Sequence, residues 1–453
     1  MKNLLIYFFI IIPLIHPQSL TEELKLFFKK DIFDTTIVAI QVDNLSKGKT
    51  LFKKNEKLLL HPASNMKLIT TAASLIFLGE DYPLTTKLFY QGEILNDTLF
   101  GNLIFAGGCD PDFSTNDFYP FLNELRNLGI KHIRGNLIGD ISFKDKMYWG
   151  KGWMWDDDPS SDAPRLAALN LNDNCVMVNV LNDRYSLEPK TNFVDIIHIT
   201  DYDSFLIDRN WLENKNEIII KGKTKYLSSN QINIINPDLY FLTVFREILD
   251  SNDIKISGTI ELSELSTNNS KLIYQFERKI KEIIPNVNKN SDNLSAEMLL
   301  FALGEKYFGK PTTSQKGIDV IKFLLDSLNL KHKNYRIVDG SGVSHYNLVS
   351  VELIIRLLKY MYRQPKEIFE MFLNSLPISG IDGTLKNRMK NDLTFSKVFA
   401  KTGTLSGVSC LSGYMKNKND ELIAFSIFIQ NFTNSSKKAR DIQDDICRMI
   451  YLN

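Results

Sequence analysis

Three short stretches carry residues that could do chemistry together. The first is "LLLHPASNMKLITTAASLIFLG", residues 58 to 79, in which Ser64 stands three places before Lys67 at the head of an apolar run. Pro62 suits a helix entrance, and Leu68, Ile69, Ala72, Ala73, Leu75 and Ile76 recur at helical spacing before Gly79. Positions i and i+3 share a helix face, so the hydroxyl and the amine can meet. A lysine turned toward the apolar side loses hydration, its pKa falls, and it can accept a proton. The Ser64 N–H would also lie at the positive end of the helix dipole, where an oxyanion is stabilised. Taken alone the tetrapeptide is equally an ordinary capped helix start.

The second stretch is "NSDNLSAEML", with Ser291, Asp292 and Asn293 ahead of another helical pattern. A second hydroxyl there could pass a proton, and the amide could hold a polar backbone. Ser, Asp and Asn also crowd helix starts simply because they cap them. The third is "FAKTGTLSG", residues 399 to 407. An apolar strand leads to Lys401, Thr402, Gly403 and Thr404. Gly403 removes a side chain, so an extended peptide could lie along this strand. Lys401 offers fixed positive charge, and the hydroxyls of Thr402 and Thr404 could hold a carboxylate.

These residues need elements to position them. Residues 20 to 33 read as a helix, and "TTIVAIQVDN" with "TLFKKN" as a strand hairpin ahead of the Ser64 helix. From about 88 to 284 the texture becomes short alternating strands divided by Gly, Asn and Asp, as in "TLFGNLIFAGG", "HIRGNLIGDISF" and "IKISGTIELSEL". Helical periodicity returns at Asn293 and continues through "GIDVIKFLLDSLNL" and "VSVELIIRLLKYMYR". Strands follow in "SKVFAKTGTL", "LSGYMKN" and "LIAFSIFIQN", then a last helix from about Ser435. The expected class is α/β in the α+β sense: an antiparallel sheet flanked by helices with a helical cluster, interrupted by β-rich modules. The catalytic unit is expected over 20–87 and 285–453. The insertion spans 88–284, with one module at about 88–174 plus 235–284 and another at about 175–234.

Composition narrows the function classes. The chain has 453 residues, 44% hydrophobic and 24% charged, with a net charge of +1. That fits a globular protein with a large core and carries no nucleic-acid footprint. Residues 1–19 read as a signal peptide: Lys2, an apolar run from Leu4 to Ile15, and removal near Gln18 or Ser19. The run is short for a bilayer span, and no later segment reads as one. An uncleaved anchor is the alternative. Cys109, Cys175, Cys410 and Cys447 are widely spaced and read as free, buried thiols. The six scattered histidines form no metal motif, so neither metal nor cofactor is expected.

S-x-x-K, S-D-N and K-T-G in this order form the signature of serine penicillin-recognising enzymes. The wider context resembles one family, the DacB-type D-alanyl-D-alanine carboxypeptidase/endopeptidases of the low-molecular-mass class C penicillin-binding proteins. The likeness rests on "PASNMKLITTAA", "AGGCDPDFS", "GWMWDDDPSSDAPRLAALNLNDN", "NSDNLSAEMLL", "DGSGVSHYNLVS", "LPISGIDGTLKNRM" and "AKTGTLSGVSCLSGYM", from about 60 to 414. Ser64 and Ser291 stand 227 positions apart, far more than in most penicillin-recognising enzymes, and in this family inserted domains fill that gap.

The resemblance implies a peptidase of peptidoglycan stem peptides and cross-links that β-lactams inhibit. It implies Ser64 as the acylated nucleophile and Lys67 as its base. Ser291 relays a proton toward the leaving amine, with Lys401 tuning it. Asn293 binds the substrate amide or holds Lys67. Thr402 and Thr404 recognise the terminal carboxylate, and the N–H groups of Ser64 and Thr404 form the oxyanion hole. In "GWMWDDD" Asp157, or else Asp156, would bind the amino group of a diaminopimelate side chain, while Trp153 and Trp155 would pack. Two departures stand out: His345 where relatives carry arginine, and Cys109 where glycine is usual. Stem-peptide recognition at His345 is therefore expected to differ in detail. Glu370 in "EMFLN" superficially fits the deacylating glutamate of class A β-lactamases, but its spacing is unlike theirs and it reads as a surface residue. A catalytically silent binding protein is the remaining alternative, and every core residue of the signature is present.

Overall fold

The computed structural model describes residues 19–264, 269–390, 393–433 and 435–453. The expected leader therefore lies outside the described residues except for Ser19. Among the described residues an antiparallel sheet runs in the order Val398–Leu405, Val408–Lys416, Leu422–Gln430, Ile37–Asn44, Lys49–Lys54. The first strand of the chain thus pairs with the last, Ile37 opposite Gln430 and Asn44 opposite Ile423.

Period-two alternation sends successive side chains of this sheet to opposite cores. Val38, Ile40, Val42, Leu411, Met415, Phe425 and Ile427 face a core closed by Leu20, Leu24, Ala439, Ile446 and Ile450 of the two terminal helices. Ala39, Cys410, Tyr414, Ala424 and Phe428 face the other core, shared with the helices Met66–Phe77, Asn293–Phe308, Ser314–Ser327 and Val351–Tyr362. A sheet covered on both faces is rigid, which suits an element that must hold Lys401 in place.

Between these parts lies a second body of sheets. One runs Ile260–Ser263, Leu137–Asp140, Leu103–Ala106, Pro83–Tyr90, Lys271–Lys279. Two three-stranded sheets hold Cys175–Asn182 and Glu217–Lys221 as their middle strands. Their common core includes Phe105, Phe118, Phe121, Phe241 and Phe245, packed largely edge to face. The region is not purely β. Helices Tyr119–Asn127 and Pro237–Ser251 cover its sheets, each opening with proline at the first turn and burying Phe121, Leu122 and Leu125, or Phe241, Val244 and Phe245. The N-terminal helix is likewise shorter than expected: it runs Leu20–Phe27, and Asp31–Phe33 form a separate 3-10 turn.

An apolar seam joins the two bodies. Cys109, Phe143, Trp153, Ala163 and Leu166 pack on Leu294, Met298 and Phe301 of the helix that follows Ser291. The four cysteines are buried and none is in a disulfide, as expected. Cys109 has φ 59°, the left-handed region that glycine occupies without strain, which accounts for glycine being the usual residue there.

Candidate active site

Ser64 sits in the 3-10 turn Ala63–Asn65 that leads into the helix Met66–Phe77, so its hydroxyl precedes the α-helix proper. Two glycines allow the turn to be enclosed. A Cβ on Gly342 would lie 1.9 Å from the Ala63 carbonyl oxygen, and one on Gly403 would lie 2.9 Å from the Pro62 oxygen and 3.0 Å from the Ser64 nitrogen. Ala63 itself holds φ 45°, a strained value for a residue with a side chain. Asn65 donates to the Lys401 carbonyl at 3.1 Å, tying the turn to the K-T-G strand.

Lys67 is fully buried. Its ammonium donates to Ser64 Oγ at 3.2 Å, to the Ser341 carbonyl at 2.8 Å and to Asn293 Oδ1. Burial pushes its pKa down to about 8, opposed by the carboxylates of Asp292, Asp339, Glu297 and Asp162. On the other side Lys401 donates to Ser291 Oγ at 2.8 Å and to the Thr402 carbonyl at 3.0 Å. Lys401 departs from the expectation of a fixed positive charge. Burial and then the neighbouring charge of Lys67 hold its pKa well below the ordinary lysine value.

Ser291 has φ 64° and follows the π-helical turn Asn286–Asn290. Asp292 caps the next helix, accepting from Ser295 N at 2.6 Å, and this cap fixes Ser291 and Asn293 on either side of it. Asn293 also donates to the Asp162 carbonyl at 2.5 Å, so a backbone group of the inserted region touches the S-D-N motif. On the K-T-G strand the Ala400 N–H donates to the Pro377 carbonyl off the sheet edge. By the two-residue period, the N–H groups of Thr402 and Thr404 point to that same open edge.

These groups line one cleft of about 650 Å³. Ser64, Ser291, Asn293, Thr402, Gly403, Thr404, Asp157 and His345 reach its surface, with Lys67 and Lys401 buried beneath. Every residue expected to take part therefore comes to one place. The cleft is bipolar: two amines lie under its floor, and Asp156, Asp157 and Asp162 lie along its rim. Asp157 accepts from Met154 N at 2.8 Å, and burial raises its pKa. His345 lies beside His61, with ring centroids 5.9 Å apart and planes tilted by 58°. Trp153 is buried and donates to Asp339 at 3.0 Å, whereas Trp155 is 68% exposed and packs into no core. Glu370 lies on the helix Lys366–Ser375, pairs with Lys366 at 3.7 Å and is not part of the cleft wall.

Some contributors were not foreseen. Ser341 acts through its carbonyl, and its loop is held by Glu297, which accepts from the N–H groups of Gly340 and Ser341, and by Asp339, which accepts from Gly342 N and Ser344 N. Thr384 accepts from the Thr402 hydroxyl at 2.7 Å. Backbone carbonyls carry no side-chain signature; "DGSG" and "DGTL" were visible only as matched stretches. Among the described residues Asp112, Asp173 and Asp292 bring carboxylate oxygens within 4.8 Å of one another. Burial and then the Asp292 charge push the pKa of Asp173 up to about 7, and burial pushes that of Asp112 up to about 6.

Comparison with solved structures sets the class. Penicillin binding protein 4 (dacB) from Haemophilus influenzae superposes with a TM-score of 0.83 at 23% identity, over 94% of this chain and 100% of that one. That protein has also been solved with a β-lactam bound. A predatory peptidoglycan endopeptidase from Bdellovibrio bacteriovorus matches with a TM-score of 0.52 at 16% identity, over 91% of this chain and 92% of that one, and it has been solved acylated by penicillin G. The fold is that of penicillin-binding proteins.

In sequence, the D-alanyl-D-alanine carboxypeptidase DacB of Haemophilus influenzae is 26% identical over 420 residues, 88% of this chain and 86% of the relative. The chain belongs to the D-Ala-D-Ala carboxypeptidase 3 (S13) family, whose profile matches residues 20–450. It is a serine-type D-Ala-D-Ala carboxypeptidase by that membership.

Proposed function

We propose that Ser64 attacks the carbonyl of the penultimate D-alanine in peptidoglycan stem peptides. The observation that carries this is the buried Lys67 amine, 3.2 Å from Ser64 Oγ and with its pKa pushed down to about 8. Near neutral pH a working fraction of Lys67 is unprotonated and can take the Ser64 proton as the new C–O bond forms. The developing oxyanion meets the N–H groups of Ser64 and Thr404. The C–N bond then breaks, and Ser291, hydrogen-bonded to Lys401, passes a proton to the departing D-alanine amine. Water attacks the acyl-Ser64 ester, releasing the shortened peptide as a carboxylate and restoring the serine hydroxyl.

Asn293 holds Lys67 through its side-chain oxygen. Thr402 and Thr404 receive the terminal carboxylate, whose charge favours protonated Lys401 below. Gly403 lets the peptide and the Ser64 turn lie close to the strand. Asp157 and His345 read the far side of the stem peptide, with the Asp157 carboxylate facing a free amine. The same acyl donor with a larger leaving amine gives cleavage of D-Ala–diaminopimelate cross-links. A β-lactam presents its ring carbonyl to the same serine.

Such a substrate lies outside the cytoplasm, which fits export through the leader read in residues 1–19. Among the described residues no helix is long and apolar enough to cross a membrane. The separate apolar cores support a catalytic unit of 20–87 and 285–453 carrying an insertion of 88–284, and two self-contained three-stranded sheets over a shared core support a nested module at about 175–234.

The test is intact mass against time after adding penicillin, for wild type and Ser64→Ala. A one-to-one adduct that persists for many minutes and is absent from the variant supports the peptidase. Rapid loss of the adduct with drug hydrolysis would mark a β-lactamase. No adduct at all would sink the mechanism.

A further inference from the structure

The rim of the cleft carries an apolar surface that the peptidase chemistry does not use. Trp155 is 68% exposed and Leu212 is 74% exposed. Trp155 lies between Met154 and Asp156, both of which line the cleft. Its ring leans on Trp211 of the nested β-rich part, with centroids 4.9 Å apart and planes 38° from parallel. Each tryptophan opens a single 3-10 turn, Trp155–Asp157 and Trp211–Glu213.

One buried ionic anchor holds both turns. Asp158, directly after the first turn, pairs with Arg209, two residues before the second, and with Arg165 at 2.7 Å. Arg209 also donates to Asn233 at 3.0 Å and to the Lys215 carbonyl at 3.0 Å. The indoles are therefore held in place before any ligand arrives, so little ordering is lost on binding. Trp155, open to water against a half-buried Trp211 on a polar rim, marks an interaction surface.

Resting on the peptidase reading, we propose that Trp155 and Trp211 form a stacking platform for a pyranose ring of the glycan strand from which the stem peptide hangs. The substrate is one covalent molecule. A chain whose reacting carbonyl sits at Ser64 must leave the cleft across its rim, and the platform is continuous with that rim. The chemistry of the two surfaces also differs. The cleft offers amines, carboxylates and hydroxyls, which suit the charged ends and amides of a peptide. The platform offers the open Trp155 indole, backed by Trp211, beside Met154 and Leu212, which suits the flat C–H face of a pyranose.

The experiment compares two substrates on the full chain: a disaccharide pentapeptide, and the same pentapeptide without sugars. Trp155→Ala is expected to lower kcat/KM about five- to tenfold on the sugar-bearing substrate, through KM, and to leave the bare peptide and penicillin acylation unchanged. Trp155→Phe is expected to retain most of the wild-type value. Indole fluorescence should shift when wild type is titrated with the peptide-free disaccharide, and the shift should be lost in Trp155→Ala. Equal losses on both substrates would mean that the rim serves the peptide or the fold, and would overturn the platform. So would equal rates throughout, or a silent titration at millimolar disaccharide. Failure of wild type to cleave either substrate would count against the peptidase reading, while the titration still judges the platform.

Discussion

Raising the pH from 6 to 8 should accelerate acylation of Ser64 by a β-lactam roughly fifty-fold, if Lys67 is the base. The magnitude follows from the pKa of about 8 that burial imposes on a lysine whose ordinary value is 10.5. Simple titration then leaves about 1% of the amine neutral at pH 6, about 9% at pH 7 and about half at pH 8. The assay is the second-order acylation rate against pH, using an uncharged chromophoric β-lactam so that drug ionisation does not intrude. A profile flat from pH 6 to 9, or one that inflects near 10, would refute the assignment. The same shift has a signature in stability. Between about 8 and 10.5 the unfolded chain binds a proton that folded Lys67 does not, so this group makes stability rise with pH across that window. Below pH 8 the penalty is fully present, about 3 kcal/mol for a shift of this size.

Gly403→Ala should lower acylation about 10²- to 10³-fold, the effect of losing an oxyanion donor. The new methyl would crowd the Pro62 oxygen and Ser64 nitrogen at 2.9 and 3.0 Å, pushing the strand away from the nucleophile. A folded variant with wild-type rates would contradict this. Adjacent aspartates should separate cleanly in a paired test. Asp158→Asn leaves the buried guanidiniums of Arg165 and Arg209 without their carboxylate and should cost about 3–5 kcal/mol in denaturant unfolding. Asp157→Asn should leave stability within about 0.5 kcal/mol, as surface substitutions usually do. It should instead reduce cleavage of substrates bearing a free side-chain amine, relative to those with that amine acetylated.

How much of this could be read beforehand depends on what kind of group does the work. Ser64, Lys67, Ser291 and Lys401 announce themselves only together, because three motifs that are each common alone fall in one order, two at helix starts and one on a strand. The strands from Val398 to Gln430 were legible for a similar reason: long apolar runs bounded by turns leave few alternatives. The helices Tyr119–Asn127 and Pro237–Ser251 were not, because the surrounding glycines and asparagines set a β texture that masked their spacing. Trp155 was misjudged for another reason. Residue type predicts a buried indole, but the turn Trp155–Asp157 leaves Trp155 facing water beside Trp211, a partner far away in sequence. The lowered pKa of Lys401 likewise depends on its burial and on Lys67 beside it, which no one-dimensional pattern contains.

The pairing of Ile37–Asn44 with Leu422–Gln430 has a consequence for timing. The nucleophile emerges early in synthesis and the K-T-G strand very late. The sheet that fixes their distance closes only when the final strand arrives, and such long-range pairing is slow to form. A partly made chain has Ser64 and Lys67 but no opposing strand edge. Hydrolytic power arrives in one step, after nearly the whole chain has been delivered. A carboxypeptidase built this way is silent until its own synthesis is nearly finished.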